Sequence, residues 1–304
     1  MIEATHLTKR FGDTIAVDDL SFTVRPGVVT GFLGPNGAGK STTMRAIAGL
    51  IRPTSGTTRV NGAPLARHAA PITELGTLLG PGLAHPGRTA RAHLLALAAT
   101  HGLGSARVDE VLQLTGIEAV ARRRVGTFSL GMHQRLGLAA ALLGDPQTLM
   151  LDEPINGLDP DGIVWVRRFL RTLADEGRTV FLSSHLMSEM AQAADHLIVI
   201  GRGRLIVDAP MAEVLAGVGT PRVLVKTPDA TRLAAALAAP GVTVTSLASG
   251  ELEVMGLDAP AIAAIARDRD VLLHELTTRT ASLEEAYLSL TDSTLEYAAA
   301  DPAA

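Results

Sequence analysis

The chain has 304 residues, enough for two domains or one large one at the usual ~100–200 residues per domain. Apolar residues make up 47% and supply a core, while a net charge of −4 without a long basic run argues against a broad nucleic-acid surface. Cysteine is absent, which excludes disulfides and thiolate metal sites and fits a reducing cytosol. Aromatics are only 3% and Ala, Leu, Val, Arg and Gly dominate, a bias of GC-rich bacterial genomes that carries no functional information. Residues 1–10 lack a basic segment followed by an apolar one, so they read as a strand and not as a signal peptide. No uninterrupted apolar stretch approaches the ~18–20 residues that span a bilayer.

Two β-patterned segments open the chain at 2–11 and 15–24, the second broken by acidic residues, and Pro26-Gly27 makes a turn. Residues 28–33 are β-branched and apolar and predict a buried strand. A glycine-rich loop follows at 34–41, then helical character over 41–50 that ends near Gly49. From about 89 the pattern turns helical, at 90–100, 106–114 and 132–143, which predicts a helical subdomain over about 85–146 inserted in an α/β domain. Strand 148–151, amphipathic helix 161–176, strand 179–182, helix 186–194 and strands 197–200 and 204–207 resume the α/β order. Gly217, Gly219 and Pro221 mark a boundary near 216–221, giving domains 1–217 and 218–304. The second domain reads as a small α+β unit: strand 222–226, helix 230–237, strands 242–247 and 251–254, helix 259–267, strand 271–276 and helix 282–290. Its Ala-rich tail to Ala304 is expected to fray.

Gly34-Pro35-Asn36-Gly37-Ala38-Gly39-Lys40-Ser41 satisfies G-x-x-x-x-G-K-[ST] in full, between a strand and a helix. Its glycines let backbone amides and a helix N-terminus face phosphates, with Lys40 for β- and γ-phosphate oxygens and Ser41 for Mg²⁺. A chance glycine-rich turn is the competing reading, and the flanking strand and helix argue against it. Leu149-Met150-Leu151-Asp152-Glu153 is an apolar strand ending in two carboxylates. Asp152 suits a Mg²⁺ carboxylate and Glu153 a base for the attacking water. Alone, such a strand end is usually structural; beside a phosphate loop the functional reading is favoured. Ser129, before the helix at 132–143, resembles an N-cap, and Ser183-Ser184-His185 ends a buried strand. Either could be purely structural without the other motifs.

Together these motifs resemble the ATP-binding cassette family, specifically the nucleotide-binding subunit of a transporter. The order matches over 1–210: 34–41 as Walker A, with Thr42 next to it, 128–132 as the signature loop, 149–153 as Walker B, Asn156-Gly157-Leu158-Asp159 as the D-loop and His185 as the switch histidine. The resemblance implies a P-loop NTPase fold, with a RecA-like core, an antiparallel β subdomain and an α-helical subdomain, followed by the small α+β domain. It also implies an ATPase that uses ATP and Mg²⁺ and works as a head-to-tail dimer with itself or with a second cassette. Ser129 and Gly131 of one subunit would then reach the γ-phosphate at Lys40 of the other, with His185 steadying the water that Glu153 activates. Phe11 lies where such cassettes stack an aromatic on adenine; a buried strand phenylalanine is the competing reading.

The C-terminal domain and the stretch 79–94 resemble drug-resistance and lantibiotic-type export cassettes of actinobacteria. That implies export of an amphiphilic or antibiotic-like compound through a separate integral-membrane permease, with this chain cytoplasmic and peripheral at the inner face of the membrane. Two features depart from the family. The signature reads Ser129-Leu130-Gly131-Met132, where Leu130 and Met132 are expected to alter packing more than chemistry. The glutamine expected after the strand at 75–79 is replaced by Gly80, which leaves the link to the permease without its usual side chain. The alternative function is a soluble cassette ATPase acting as a regulatory or binding module on ribosomes or DNA. A single cassette without charged linker or heptad insertion, and with net acidic charge, disfavours it, and no nucleic-acid partner is expected.

Overall fold

In the computed structural model of the chain, which describes residues 1–80, 84–217, 222–248, 250–279 and 282–291, the N-terminal segments pair antiparallel as β1 (Ile2–Phe11) and β2 (Thr14–Val24). The acidic pair in β2 does not break it. Between the Leu7–Leu20 and Lys9–Val17 pairs β2 carries one residue more than β1, and Asp19 takes φ 52°. This bulge returns Leu20, Phe22 and Val24 to the buried face.

β3 (Val29–Leu33) is buried at all five residues and runs into α1 (Lys40–Ile47). β4 (Ser55–Val60), which the sequence pattern did not reveal, completes the order β2-β1-β4; only its Val60 is buried. α2 (Pro71–Glu74) and β5 (Leu75–Leu78) precede the three helices α3 (Ala90–Thr100), α4 (Ser105–Leu114) and α5 (Leu130–Ala141). Then follow β6 (Thr148–Asp152), α6 (Pro160–Asp175), β7 (Thr179–Ser183), α7 (Met187–Ala193), β8 (His196–Gly201), β9 (Arg204–Pro210) and α8 (Met211–Ala216).

The main sheet has the order β5-β6-β7-β3-β8-β9, parallel except for β9. Its central strands are covered on both faces, which is why they read as continuous apolar runs without alternation. The two sheets meet through Phe22, Phe32 and Phe181, whose ring centroids lie 5.0–5.8 Å apart. Such aromatic pairs add about 0.5–1.5 kcal/mol each beyond their buried area. Ile2, Leu7, Met44, Ile47 and Met150 fill the same core.

The chain divides into two compact units, the first formed by Met1–Met211 and the second by Ala212–Leu290. Residues 218–221, within the expected boundary, and the tail beyond 291 lie outside the described residues. In the second unit β10 (Arg222–Lys226), α9 (Ala230–Leu237), β11 (Thr243–Ala248), β12 (Glu251–Met255), α10 (Ala259–Asp268) and β13 (Glu275–Arg279) form a β-α-β-β-α-β unit, with α11 (Leu283–Thr291) after it. The antiparallel order β11-β12-β10-β13 is that of a ferredoxin-like split unit. Val223, Val225, Leu252 and Val254 pack on Leu233, Leu237 and Ile262. The last strand lies later than the apolar run at 271–276 suggests. Val271 is buried but Leu272 is exposed, and pairing with β10 starts only at Glu275, opposite Lys226. The apolar run sets Val271, Leu273 and Leu276 on the core, and only its last two residues enter the strand.

Candidate functional site

Parallel strands deliver their carboxyl ends to one edge of the sheet, and the chemistry-bearing residues are gathered there. The glycine-rich loop leaves the end of β3, Asp152 and Glu153 close β6, and Ser183, Ser184 and His185 close β7. A cavity of about 330 Å³ is lined by Ala16, the loop from Pro35 to Thr42, Asp152 and Glu153.

The loop is shaped around its glycines. Gly39 takes φ 101° at the N-cap of α1, and a Cβ there would stand 2.4 Å from the carbonyl of Ala16. α1 has no side-chain cap and no acidic residue in its first turn. Its first amides are thereby left for an anion, which the helix dipole also favours. Lys40 Nζ donates to the carbonyls of Gly34 at 2.6 Å and Pro35 at 3.2 Å. Burial pushes the Lys40 pKa down, and the nearby carboxylates of Glu153 and Asp152 oppose that shift. A partly desolvated cation held by neutral carbonyls gains strongly from an anion.

Asp152 accepts from Ser183 Oγ at 2.5 Å through one oxygen and from Ser41 Oγ at 3.4 Å through the other. Glu153 sits in the left-handed region at φ 54°, a conformation that costs a residue with a side chain about 1–3 kcal/mol. Its amide donates to the carbonyl and hydroxyl oxygens of Ser183, both at 3.2 Å. Its carbonyl accepts from Gln134 Nε2 at 2.9 Å. Its carboxylate lies 2.7 Å from His185 Nδ1 and 3.4 Å from the His185 amide. An oriented carboxylate touching an imidazole, in the same cavity as a phosphate loop, is equipped to position and deprotonate a water.

The sequence placed Ser183 at a strand end without a role and did not mark Gln134. The register that sets Ser183 beside Asp152 on adjacent parallel strands is the signal that identifies the first. Gln134 falls inside the helix expected at 132–143, where no side-chain pattern marks it.

Ser129 caps α5, accepting from the Met132 amide at 3.3 Å, and Asp159 caps α6, accepting from the Gly162 amide at 3.0 Å. Neither Ser129 nor Gly131 lines the cavity at Lys40. Within one chain they belong to a separate surface. Phe11 is 52% exposed and outside the core, with Lys9 Nζ over one face of its ring at 4.9 Å from the centroid. Gly80, at φ 131°, follows β5 and lines a second cavity of about 300 Å³ with Leu78, His93, His133, Leu136 and Gly137. His93 is buried there, its Nδ1 without a partner, and burial together with the Arg88 charge pushes its pKa down.

A phosphate loop at a strand end, backed by a carboxylate pair on the next strand but one, defines a P-loop ATPase. Residues 17–156 match the family model described as ABC transporter, and residues 221–284 match a domain of unknown function. The bacitracin transport ATP-binding protein BcrA of Bacillus licheniformis is 44% identical over 214 residues, which cover 69% of this chain and 70% of that protein. The Nod factor export ATP-binding protein I of Paraburkholderia xenovorans is 37% identical over 300 residues, covering 95% and 96%. A solved ATP-binding subunit of an ABC transporter superposes with a TM-score of 0.64 at 26% identity, covering 70% of this chain and 91% of that one. The chain belongs to the ABC transporter family, as an ATP-binding subunit that hydrolyses ATP.

Proposed function

We propose that the protein powers export of an amphiphilic or antibiotic-like compound through a separate integral-membrane permease, from the cytoplasmic face of the membrane. The observation that carries this reading is the similarity, over almost the whole chain, to a protein named for Nod factor export, joined by a cassette-wide similarity to a bacitracin transporter subunit. No helix among the described residues is long and apolar enough to cross a membrane, which is consistent with the transport path lying in another chain. The functional division is taken between residues 217 and 218, at the glycine cluster, with the cassette on its N-terminal side.

In this reading the loop from Gly34 to Thr42 cradles the phosphates, Lys40 pairs with their oxygens, and the exposed ring of Phe11 receives the adenine. Ser41 and Asp152 fit Mg²⁺, since they offer a hydroxyl and a carboxylate oxygen 3.4 Å apart, the hard donors that ion prefers. When bound, the ion neutralises phosphate charge. Glu153 takes the proton of the attacking water as its oxygen bonds to the γ-phosphorus. The bond from that phosphorus to the bridging oxygen then breaks and leaves ADP. His185, already 2.7 Å from Glu153, orients the same water. Ser129, Gly131 and Asp159 complete the site of a second subunit in a head-to-tail dimer, built with a copy of this chain or with another cassette. The cavity beside Gly80 is the surface offered to the permease, and without a side chain at Gly80 hydrolysis is measurable but modest.

Co-expression with candidate membrane proteins, followed by purification from membranes, tests the assignment. The cassette is expected to arrive with an integral protein; recovery only in the soluble fraction would sink the transporter reading and favour a soluble ATPase module. Unchanged steady-state hydrolysis in Glu153→Gln would remove Glu153 as the base.

A further inference from the structure

The helix that presents the signature serine is tied to the catalytic loop of its own subunit. Gln134, on the second turn of α5, is 4% exposed and spends its amide on two backbone carbonyls, that of Glu153 at 2.9 Å and that of Asn156 at 3.3 Å. These carbonyls bracket the start of the loop from β6 to α6. Four residues before Gln134, Leu130 reaches over the same loop: a Cβ added to Gly157 would stand 2.0 Å from Leu130 Cδ2. Gly157 has φ 75°, so both its conformation and its missing side chain fit a leucine in that place. Arg135, next to Gln134, lies 4.3 Å from the ring centroid of Trp165 on α6 and donates to the carbonyl of Thr115 at 3.0 Å.

We propose that Gln134 is a positioning residue for the ATPase reaction, and that with Leu130 it relays the state of the signature loop to Glu153. A buried amide whose donors are both engaged resists separation from its partners, because each unpaired group would be left without water. The N-terminus of α5 therefore cannot shift without pulling on the peptides at 153 and 156. Glu153 has little freedom to absorb the pull. Its left-handed backbone is clamped on the other side by Ser183, through two contacts of 3.2 Å. Ser129, the N-cap of α5, is the atom group offered to the nucleotide of a second subunit. A nucleotide that draws Ser129 outward thereby resets the carboxylate that serves the first subunit's own nucleotide. Leu130, half exposed beside Ser129, is the wedge that converts this displacement into pressure on Gly157. The relay, though not the clamp on Glu153, rests on the dimeric reading proposed above.

The test uses the full chain and three variants. Gln134→Met keeps the volume and removes both donors; it is expected to lower kcat at least tenfold while the Kd for a fluorescent ATP analogue stays within about twofold. Leu130→Gly removes the wedge at an exposed position and keeps the protein folded if Gln134→Met does not. It is expected to reduce the Hill coefficient for ATP from a value between about 1 and 2, the limit for two sites, to about 1. Glu153→Gln, run on a sizing column with ATP, reports the dimer independently. Wild-type kcat in Gln134→Met overturns the proposal, as does a parallel loss of kcat, affinity and melting temperature, the mark of a merely structural role. An unchanged Hill coefficient in Leu130→Gly overturns the relay. Failure of Glu153→Gln to dimerise with ATP overturns the dimeric reading and the relay with it, while the clamp is still judged by kcat in Gln134→Met.

Discussion

Replacing Ser183 by alanine removes one hydroxyl that serves both carboxylate residues of the site. Ser183 is fully buried, donates to Asp152 at 2.5 Å and accepts from the Glu153 amide at 3.2 Å. A hydrogen bond to a charged group contributes about 1.5–3 kcal/mol. Asp152 is only half-buried, so water replaces part of the loss and the lower end, about 1.5 kcal/mol, applies. The first unit spans 211 residues, for which each kcal/mol moves the melting temperature by about 2–4 °C; Ser183→Ala should therefore melt about 3–6 °C lower. The same loss, expressed in the reaction, is about tenfold in kcat. The half-saturating Mg²⁺ concentration should rise in parallel, because Asp152 is no longer aimed at Ser41. Differential scanning fluorimetry and phosphate release over a Mg²⁺ titration read these effects. A Ser183→Ala protein with wild-type melting and wild-type Mg²⁺ dependence would refute the view that this bond sets the carboxylate.

Lys40→Met should abolish the rise in melting temperature that ATP gives the wild type, and its pH dependence has a definite sign. Burial holds the folded-state pKa below the ordinary 10.5, so the charged lysine penalises folding below that lowered pKa and the penalty fades as pH rises through it. Without nucleotide, the melting difference between wild type and Lys40→Met should move in the wild type's favour as pH approaches 10.5; a difference that does not change with pH contradicts this. Gly39→Ala forces a Cβ to 2.4 Å from the Ala16 carbonyl at φ 101° and should cost more than about 1–2 kcal/mol, seen as a lower urea midpoint. Gly80→Gln meets open space but an unfavourable φ of 131°. It should lower stability by about 1–3 kcal/mol without a steric clash, and an unchanged denaturation midpoint would show that the backbone there adapts freely.

The phosphate loop and the carboxylate pair were legible because their chemistry is contiguous: glycines, Lys40 and Ser41 in one run, Asp152 and Glu153 at the end of another. Ser183 and Gln134 were not, because their partners lie 31 and 19 residues away and, for Gln134, are backbone atoms that no side-chain pattern encodes. β4 escaped for a different reason. It is held to β1 by backbone pairing with a single buried residue, so it has neither an apolar run nor an alternation to show. The acidic pair of β2 looked like a break and is a bulge, since alternation is restored once Asp19 turns left-handed. Leu130 was expected to alter packing more than chemistry, and it does lie on the backbone of Gly157.

α5 joins the cavity beside Gly80 to the loop that carries Glu153. β5 ends at the edge of the sheet beside β6, yet Gly80, two residues beyond it, has no side chain to reach Asp152 or Glu153. The cavity beside it is lined on one wall by His133, Leu136 and Gly137 of α5, and a Cβ on Gly137 would stand 2.5 Å from Leu78 of β5. Between His133 and Leu136 lies Gln134, whose amide holds the carbonyl of Glu153. One face of α5 therefore lines the cavity while a neighbouring face holds the catalytic loop, and a helix moves as a body. A partner seated against α5 cannot shift it without changing the setting of Glu153. Because coupling free energies are reciprocal, the factor by which nucleotide binding changes the affinity for such a partner is also the factor by which the partner changes the affinity for nucleotide.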